Sequence, residues 1–387
     1  MLCGRYNATP PTAIALSNAG VPLTISAAAT SLSEAIAHLP TGDAPSTFPI
    51  GTHAPFVAEK EGMDPDAGSP EAPLLKVKIT QFEGGGTAIG ALLQHGVCDG
   101  DAMMSFVANW SRAYRGVALE APSHDRCAAS NASMGDLPAD EQPACFKYLV
   151  MPAGEPPVPP EFMGVMPKIM GGHTSIAPLT KVTLAAHKAA AMAGLSEGHF
   201  VSTDDIVTAK TWKALVAVRI SQLEIGEDSE VITTMSRASN LRKRTSPPLG
   251  ESFCGNATFQ VSTELSVAEL LTKSVADVAL LLRASLQQHT PEVVAQGTRW
   301  LVKLQAAGGK ARMVFDANAL TFIVSSWSFP TGWEAADFGA VPCGWDHGAL
   351  TPIATVVAPR PGGDGVHVYN SGPKADVAKF AALMAAA

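Results

Sequence analysis

Residues 90–100 read GALLQHGVCDG, a short apolar run that ends at a histidine and breaks at Asp-Gly. A run of this length behind three glycines at 84–86 predicts a buried strand entered through a hairpin turn. After it, Asp101 opens a segment whose apolar residues are spaced as one face of a helix. These residues are Met103, Val107, Trp110 and Tyr114. His95 is therefore predicted to lie where a strand gives way to a helix.

The histidine at this junction allows two interpretations. An imidazole can take a proton from a hydroxyl or an amine in the physiological pH range, so His95 is a candidate general base. A histidine at the end of an apolar strand can equally be a core residue whose ring is satisfied by hydrogen bonds. The motif alone leaves both open, and the rest of the chain has to decide between them.

The composition excludes several classes of protein. Of the 387 residues, 47% are apolar and 16% are charged, which is typical of a compact globular chain with room for two domains. The net charge of −8 argues against a nucleic-acid partner. No apolar segment reaches the roughly 20 residues of a membrane span, and the N-terminus does not resemble a signal peptide. We therefore expect a cytoplasmic protein without a membrane partner.

The positions of the cysteines argue against a metal site. All six are scattered, and none is spaced with histidines or other cysteines as a zinc site requires. We expect free thiols in a reducing compartment and no bound metal.

The order of predicted elements indicates an α/β fold with mixed sheets, because helices and strands alternate in both halves without strict βαβ repetition. A Pro- and Gly-rich stretch at 151–179 is predicted to be a crossover without a central strand. The N-terminal domain would cover 1–150, with about 337–360 returning to it. The C-terminal domain would cover 180–336 and about 361–387, beginning with a strand near 180–184 and containing a helix at 268–289.

One dense basic cluster lies at 240–249, which reads NLRKRTSPPL. It is either a solvated loop or a site for an anion, since arginine suits phosphate and carboxylate geometry. Charge alone does not separate these alternatives.

Five stretches occur in an order that resembles one family, the plant-type BAHD acyl-CoA-dependent acyltransferases, which include hydroxycinnamoyltransferases. The stretch from His95 to Gly100 matches the HxxxDG motif of that family, and Asp337, Phe338 and Gly339 match the start of its DFGWG motif. Between these two lie matches to the STND…W helix at 202–212, to the NLRxR…P…GN stretch at 240–256 and to the TSW segment at 325–327.

The resemblance implies two chloramphenicol-acetyltransferase-like domains with an active-site channel between them. Acyl-CoA would enter as a co-substrate, with no permanently bound cofactor, and a small acceptor would enter from the other side. His95 would deprotonate the acceptor for direct attack on the thioester, and Ser325 and Trp327 would line the channel near the oxyanion. The resemblance also implies a monomer.

The other matching residues have structural roles by the same resemblance. Asp99 would pair with Arg242 rather than orient His95, although a triad-like role for Asp99 is the alternative. Gly100 and the three residues that begin at Asp337 would complete the structural motifs. Within the basic cluster, Lys243 and Arg244 are candidates for binding acyl-CoA.

The chain also departs from the pattern. Residues 337–341 read DFGAV instead of DFGWG. Residues 2–5 match a family segment that normally follows a first strand and a first helix, and we expect these two elements to be absent, either because the sequence is truncated or because its first domain is incomplete. These departures leave one alternative, a catalytically inactive relative that binds a ligand or a partner. Peptide-synthetase condensation domains are disfavoured because Gln94 stands where they carry a second histidine. The shorter trimeric acetyltransferases are disfavoured because almost 290 residues follow the motif.

Overall fold

The structure is a computed structural model, and it describes residues 5–6, 14–15, 20–57, 72–125, 141–151, 160–193, 195, 197–313, 319–329, 332–347 and 354–386. The strands are β1 (Arg5–Tyr6), β2 (Ile14–Ala15), β3 (Leu23–Ala28), β4 (Ser46–Pro49), β5 (Leu75–Phe82), β6 (Thr87–Leu93), β7 (Tyr148–Met151), β8 (His173–Leu179), β9 (Ile232–Asn240), β10 (Thr258–Ser266), β11 (Lys310–Met313), β12 (Thr321–Ser326), β13 (Ala354–Pro359) and β14 (Val366–Gly372).

The α-helices are α1 (Leu32–Ala35), α2 (Gly100–Tyr114), α3 (Pro160–Ile169), α4 (Lys181–Met192), α5 (Thr203–Leu223), α6 (Val267–Thr272), α7 (Val275–Gln287), α8 (Pro291–Ala306) and α9 (Lys374–Ala385). Short 3₁₀ helices cover Ile50–Phe56, Trp333–Ala335 and Pro361–Gly363. Within the described ranges, we find no helix with the combined length and apolarity that a membrane span requires.

Two larger sheets organise the chain. Seven strands form one sheet in the order β10-β9-β12-β13-β14-β8-β4, and three form another in the order β3-β5-β6. In the larger sheet β12 runs parallel to both β9 and β13, while the other pairs are antiparallel. Both sheets are mixed, since β3 runs parallel to β5 and β5 antiparallel to β6. This is the α/β class with mixed sheets that the sequence predicts.

The strand that leads to His95 is entered through a hairpin as predicted, but the prediction that it is buried is wrong: no residue of β6 is buried, because β6 is an edge strand of the three-stranded sheet. Strands β5 and β6 pair antiparallel through a turn at 84–86, closed by a hydrogen bond from the Phe82 amide to the Gly86 carbonyl at 3.1 Å. All three glycines of the turn have positive φ, a conformation that glycine adopts without a steric penalty. The hairpin therefore fixes where β6 ends and His95 begins.

The main hydrophobic core lies on one face of the seven-stranded sheet. Helix α5 crosses this face, and Trp212 at its centre is fully buried, with its indole N–H donating to Thr233 Oγ1 at 3.0 Å. The helix begins at a capping box in which Ser202 Oγ accepts from the Asp205 amide, as its sequence predicts. The opposite face of the sheet carries a smaller cluster around Phe48, Val356 and Tyr369. The candidate site lies on that second side.

Three local predictions are wrong. The Pro- and Gly-rich stretch contains α3 and the strand β8, which lies between β14 and β4 in the large sheet. The strand expected near 180–184 is the start of α4, because Thr180 accepts from the Thr183 amide and caps a helix instead. The long helix at 268–289 is two helices, since Lys273 has extended backbone and Ser274 caps α7.

The predicted domain boundaries run through the large sheet. Strand β4, from the predicted N-terminal domain, pairs with β8, and β13, from the segment predicted to return to that domain, pairs with β12 and β14. The boundaries themselves stay a prediction. The expected absence of the first family elements rests on residues 2–5, of which only Arg5 lies within the described residues.

Two buried histidines make stability depend on pH. Desolvation by burial, followed by the charge of Arg244, lowers the pKa of His289 to about 4, and burial followed by Arg360 lowers that of His367 to about 4. Because an unfolded histidine titrates near 6.5, the unfolded chain binds more protons between pH 6.5 and 4. The stability that the two neutral histidines contribute is therefore fully present above pH 6.5 and is lost as the pH falls through this window.

We expect His289→Leu to reduce this acid sensitivity. The measurement is the free energy of unfolding in urea at pH 7 and at pH 5. Between these pH values, the free energy of unfolding of wild type should fall by about 1–2 kcal/mol more than that of the variant, which is the contribution of one such histidine. His289 suits this test because neither of its buried ring nitrogens has a hydrogen-bond partner among the described residues, so the substitution breaks no described hydrogen bond of the ring. Equal losses in the two proteins would contradict the assignment.

Candidate active site

His95 lies in a tight turn between β6 and α2. The turn is closed by a hydrogen bond from the Val97 amide to the Gln94 carbonyl at 2.9 Å, and the Gln94 amide bonds to the Leu74 carbonyl at 2.9 Å. The histidine side chain is exposed, and within the described part of the chain no group hydrogen bonds to its ring. The predicted junction is present, and the interpretation of His95 as a core residue is wrong.

Asp99, four residues later, is fully engaged in a buried network. Its two carboxylate oxygens receive a bidentate pair of bonds from Arg242, each at 2.9 Å. Oδ1 also accepts from the Ala102 amide at 3.0 Å, which caps α2, and Oδ2 accepts from the Ala257 amide at 2.9 Å. Four donors therefore hold this carboxylate, and the described structure leaves it no bond to the imidazole of His95.

The partner arginine connects three segments. The guanidinium of Arg242 donates to the carbonyls of Phe253 at 3.0 Å and Gly255 at 3.4 Å, and it lies over the Phe253 ring. It also approaches Asp101 within 3.6 Å, while Asn240 donates to Asp101 at 2.8 Å. Burial raises the pKa of Asp101, and Arg242 opposes this shift. This network fixes the start of α2 against the 253–257 segment.

The cysteine inside the motif is not an additional nucleophile. Cys98 is buried, and desolvation, with smaller contributions from Cys254 and Asp99, raises the pKa of its thiol to about 12. Since the thiolate is the reactive form of cysteine, this side chain stays protonated and inert near neutral pH.

Helix α2 lies between two of the predicted motifs, but the face that it buries is not the predicted one. Its buried residues are Asp101, Ala102, Met104, Ala108 and Ser111, whereas Tyr114 of the predicted stripe is 70% exposed. The aromatic part of the stripe packs on Phe338 instead, with Trp110 and Tyr114 at ring distances of 4.9 and 5.9 Å.

The DFG segment therefore lies at the far end of α2 from His95. Asp337 accepts from the Gly339 amide at 2.9 Å and pairs with Arg115 at 2.7 Å, and Gly339 has a φ of +98°. The aspartate side chain thus closes a turn that its glycine makes possible. Helix α2 spans about 22 Å, so these residues lie well away from His95.

An aromatic cluster borders the other end of α2. Trp327 has ring neighbours in Phe329, Trp345 and His347, at 5.7, 5.4 and 5.0 Å. A Cβ on Gly100 would lie 2.9 Å from Phe329 and 3.3 Å from Trp327. Only glycine allows this approach without a shift, so the DG of the motif brings the start of α2 against the predicted channel residue Trp327.

The sheet next to this cluster is open. Ser325 Oγ accepts from the Trp327 indole N–H at 3.2 Å, a contact that leaves the hydroxyl proton of Ser325 available to another acceptor. Ser325 follows Val324, which pairs with Arg237, so it lies beside Ala238 on the same face. Ala238 is exposed although β9 is an inner strand. This face is where a substrate can reach the sheet.

The two cations proposed for acyl-CoA have different surroundings. Arg244 donates to the carbonyls of Leu286 and His289, at 3.3 and 3.2 Å, at the end of α7, and burial lowers its pKa. Its guanidinium is thus used inside the protein, which does not support the predicted contact with acyl-CoA. Lys243 is exposed and pairs with Glu251 at 2.7 Å, so it stays a prediction.

A groove of about 540 Å³ lies elsewhere, lined by residues that include Phe200, Lys273, Leu281 and Arg283. None of its lining residues belongs to the predicted site. Arg283 there is already paired with Asp205.

The tertiary structure thus places the motif residues Asp99, Gly100 and Arg242 in one region with Trp327. Arg244 and the DFG segment lie outside this region. Sequence reasoning did not single out Trp345, His347, Phe329 or the side chain of Asn256 as parts of the site. Trp345 and His347 follow the altered DFGAV segment with no spacing signal. Asn256 belongs to the GN dipeptide that matches the family, and that match carries no signal for a contact with the His95 turn.

Comparison with known proteins gives a consistent picture. The model of a family described as "Transferase family" matches residues 13–386. Hydroxycinnamoyltransferase 2 of Oryza sativa subsp. japonica is 28% identical over 248 residues, which are 64% of this chain and 52% of that protein. Tryptamine benzoyltransferase 1 of the same organism is 27% identical over 245 residues, 61% of this chain and 50% of that protein. The chain thus spans about half the length of these curated relatives.

Solved structures share the fold. TRI101 of F. graminearum, crystallised with coenzyme A and deoxynivalenol, superposes with a TM-score of 0.69 at 17% identity, covering 97% of this chain and 84% of that one. Vinorine synthase superposes with a TM-score of 0.65 at 22% identity, covering 98% and 79%. The predicted fold class is confirmed.

Proposed function

Because the chain belongs to the Transferase family, which its match over residues 13–386 shows, we propose that it is an acyltransferase. It moves an acyl group from acyl-CoA to a hydroxyl or an amine of a small acceptor. The observation that carries this proposal is the exposed imidazole of His95 at the junction of β6 and α2, beside an aspartate whose oxygens are all engaged with other donors. This arrangement leaves the histidine available to substrate while its backbone is held.

The chemistry follows from the groups around that junction. His95 accepts the proton of the acceptor hydroxyl or amine as the acceptor attacks the thioester carbonyl. The tetrahedral intermediate needs a donor where its negative charge develops, and the Ser325 hydroxyl is suited to this role because the Trp327 contact uses only its oxygen. Collapse breaks the C–S bond, and protonated His95 returns its proton to the CoA thiolate.

The names of the relatives support a substrate class. Hydroxycinnamoyl and benzoyl groups are planar aromatic acyl groups, and tryptamine is an amine acceptor. The aromatic cluster of Trp327, Phe329, Trp345 and His347 suits a planar group, because offset and edge-to-face contacts between aromatic rings are favourable. We therefore propose an aromatic acyl donor. The exposed Lys243 remains a candidate contact for the CoA phosphates.

The proposal also covers the location, the oligomeric state and the domain organisation of the protein. The protein acts in the cytoplasm as a monomer with two domains divided near 150–180, and the channel between them holds the site. Acyl-CoA is a co-substrate rather than a resident cofactor. The negative net charge and the absence of a spanning helix among the described residues support a protein without nucleic-acid or membrane partners.

Thermal unfolding with and without saturating CoA tests the donor site. A ligand at 100 times its Kd that binds only the folded state stabilises it by about 2.7 kcal/mol, which corresponds to a rise in Tm of about 3 °C for a chain of this size. Mass spectrometry of mixtures of benzoyl-CoA or p-coumaroyl-CoA with amine and alcohol acceptors then detects the product. A raised Tm without any product would favour an inactive binding relative, and no rise would contradict the donor site.

A further inference from the structure

The 253–257 segment lies along the motif turn and is joined to it at several points. The Asp99 amide bonds to the Gly255 carbonyl at 3.5 Å, and the Ala257 amide bonds to Asp99. Arg242 holds the same segment through the carbonyls of Phe253 and Gly255. These contacts fix the segment independently of any side chain at position 256.

Among the described residues, Asn256 makes the one side-chain hydrogen bond to the backbone of His95. Its Nδ2 donates to the His95 carbonyl at 2.7 Å. Because a carbonyl can only accept, this bond also fixes which end of the amide faces the turn. The other end, Oδ1, is buried without a hydrogen-bond partner among the described groups.

An unpaired buried acceptor has a free-energy cost, so an amide that served only to stabilise the fold would be a poor choice here. The His95 ring itself has no hydrogen-bond partner in the described part of the chain. Its placement therefore depends on the backbone to which it is attached, and small displacements of a reacting group have large effects on rate.

We propose that Asn256 is a positioning residue, whose Nδ2–H···O=C bond to His95 holds the backbone of the motif turn in the geometry in which the imidazole receives the acceptor proton. This inference rests on the proposed acyltransferase function. It assigns the role to the amide donor, not to the volume of the side chain.

The test compares wild type with Asn256→Ala and Asn256→Asp. The alanine variant removes the donor, and the aspartate variant keeps the shape but sets a carboxylate oxygen against the His95 carbonyl. Asn109→Ala is the matched control, because Asn109 Nδ2 also donates to a backbone carbonyl, that of Glu120 at 3.0 Å, in the second half of α2.

Two measurements separate the outcomes. Amide hydrogen exchange at 95–98 should become about fivefold faster in Asn256→Ala, the factor that corresponds to one hydrogen bond of about 1 kcal/mol. In the steady state, kcat should fall about tenfold with KM for acyl-CoA and Tm unchanged. The aspartate variant should lose at least as much kcat as the alanine variant, and the control should change neither quantity.

Unchanged exchange at 95–98 overturns the proposal, as does an unchanged kcat alongside faster exchange, or an aspartate variant with wild-type kcat. An equal loss in the Asn109 control would reveal a general structural effect and also overturns it. If wild type transfers no acyl group, the proposed function fails instead, and hydrogen exchange alone then decides whether Asn256 holds the turn.

Discussion

His95→Ala is expected to lower the rate of acyl transfer by about 10²- to 10⁴-fold, the contribution of a positioned general base. The loss should appear in kcat, because the imidazole acts on the proton in the transition state. The fold should be unaffected, since His95 is exposed and its ring has no hydrogen-bond partner among the described residues. Changes at such positions usually alter stability by less than about 0.5 kcal/mol.

The measurement is steady-state turnover with the donor and acceptor pair found by mass spectrometry, together with a denaturation curve. His199→Ala is the matched control, because His199 is also an exposed histidine but lines the groove beside α7. Residual turnover within tenfold of wild type in His95→Ala would refute the assignment of the base. A similar loss in the control would show that the effect is not specific to the site.

Asp99→Ala should cost about 3–5 kcal/mol of folding free energy, the second large effect we expect. The substitution leaves the buried guanidinium of Arg242 without its carboxylate, and breaking a buried pair by removing one partner has costs of this size. It also removes the cap of α2 and the acceptor of the Ala257 amide. The denaturation midpoint of this variant should therefore be lower than that of wild type, whether or not its activity changes.

A double-mutant cycle distinguishes this role from a catalytic one. In Asp99→Ala combined with Arg242→Met, both charges are absent, so the double variant should be more stable than the sum of the two single effects predicts. If Asp99→Ala does not fold, Asp99→Asn serves in the cycle because its oxygen can still cap the helix. An unchanged midpoint with lost activity would instead show that Asp99 acts on His95.

Much of the local structure was predictable because it depends on neighbours in sequence. The hairpin at 84–86 follows from three glycines between apolar runs, and α5 follows from a capping box before a regular apolar stripe. The errors arise where long-range pairing overrides local preference. Strand β8 forms in a Pro- and Gly-rich stretch because β14 and β4 hydrogen bond to both of its edges.

The sequence by itself determined the α/β class and the junction at which His95 stands, since both depend on residue type and short-range spacing, whereas the other motif residues and the pairing of Asp99 with Arg242 were expected from the family resemblance. The tertiary structure alone decided which polar groups are used up and which stay available. It commits Asp99 to four donors and Arg244 to two carbonyls at and just beyond the end of α7, and it brings Asn256 to a residue 161 positions away. Hydrogen bonds form between groups that folding makes adjacent, and spacing along the chain does not encode that adjacency.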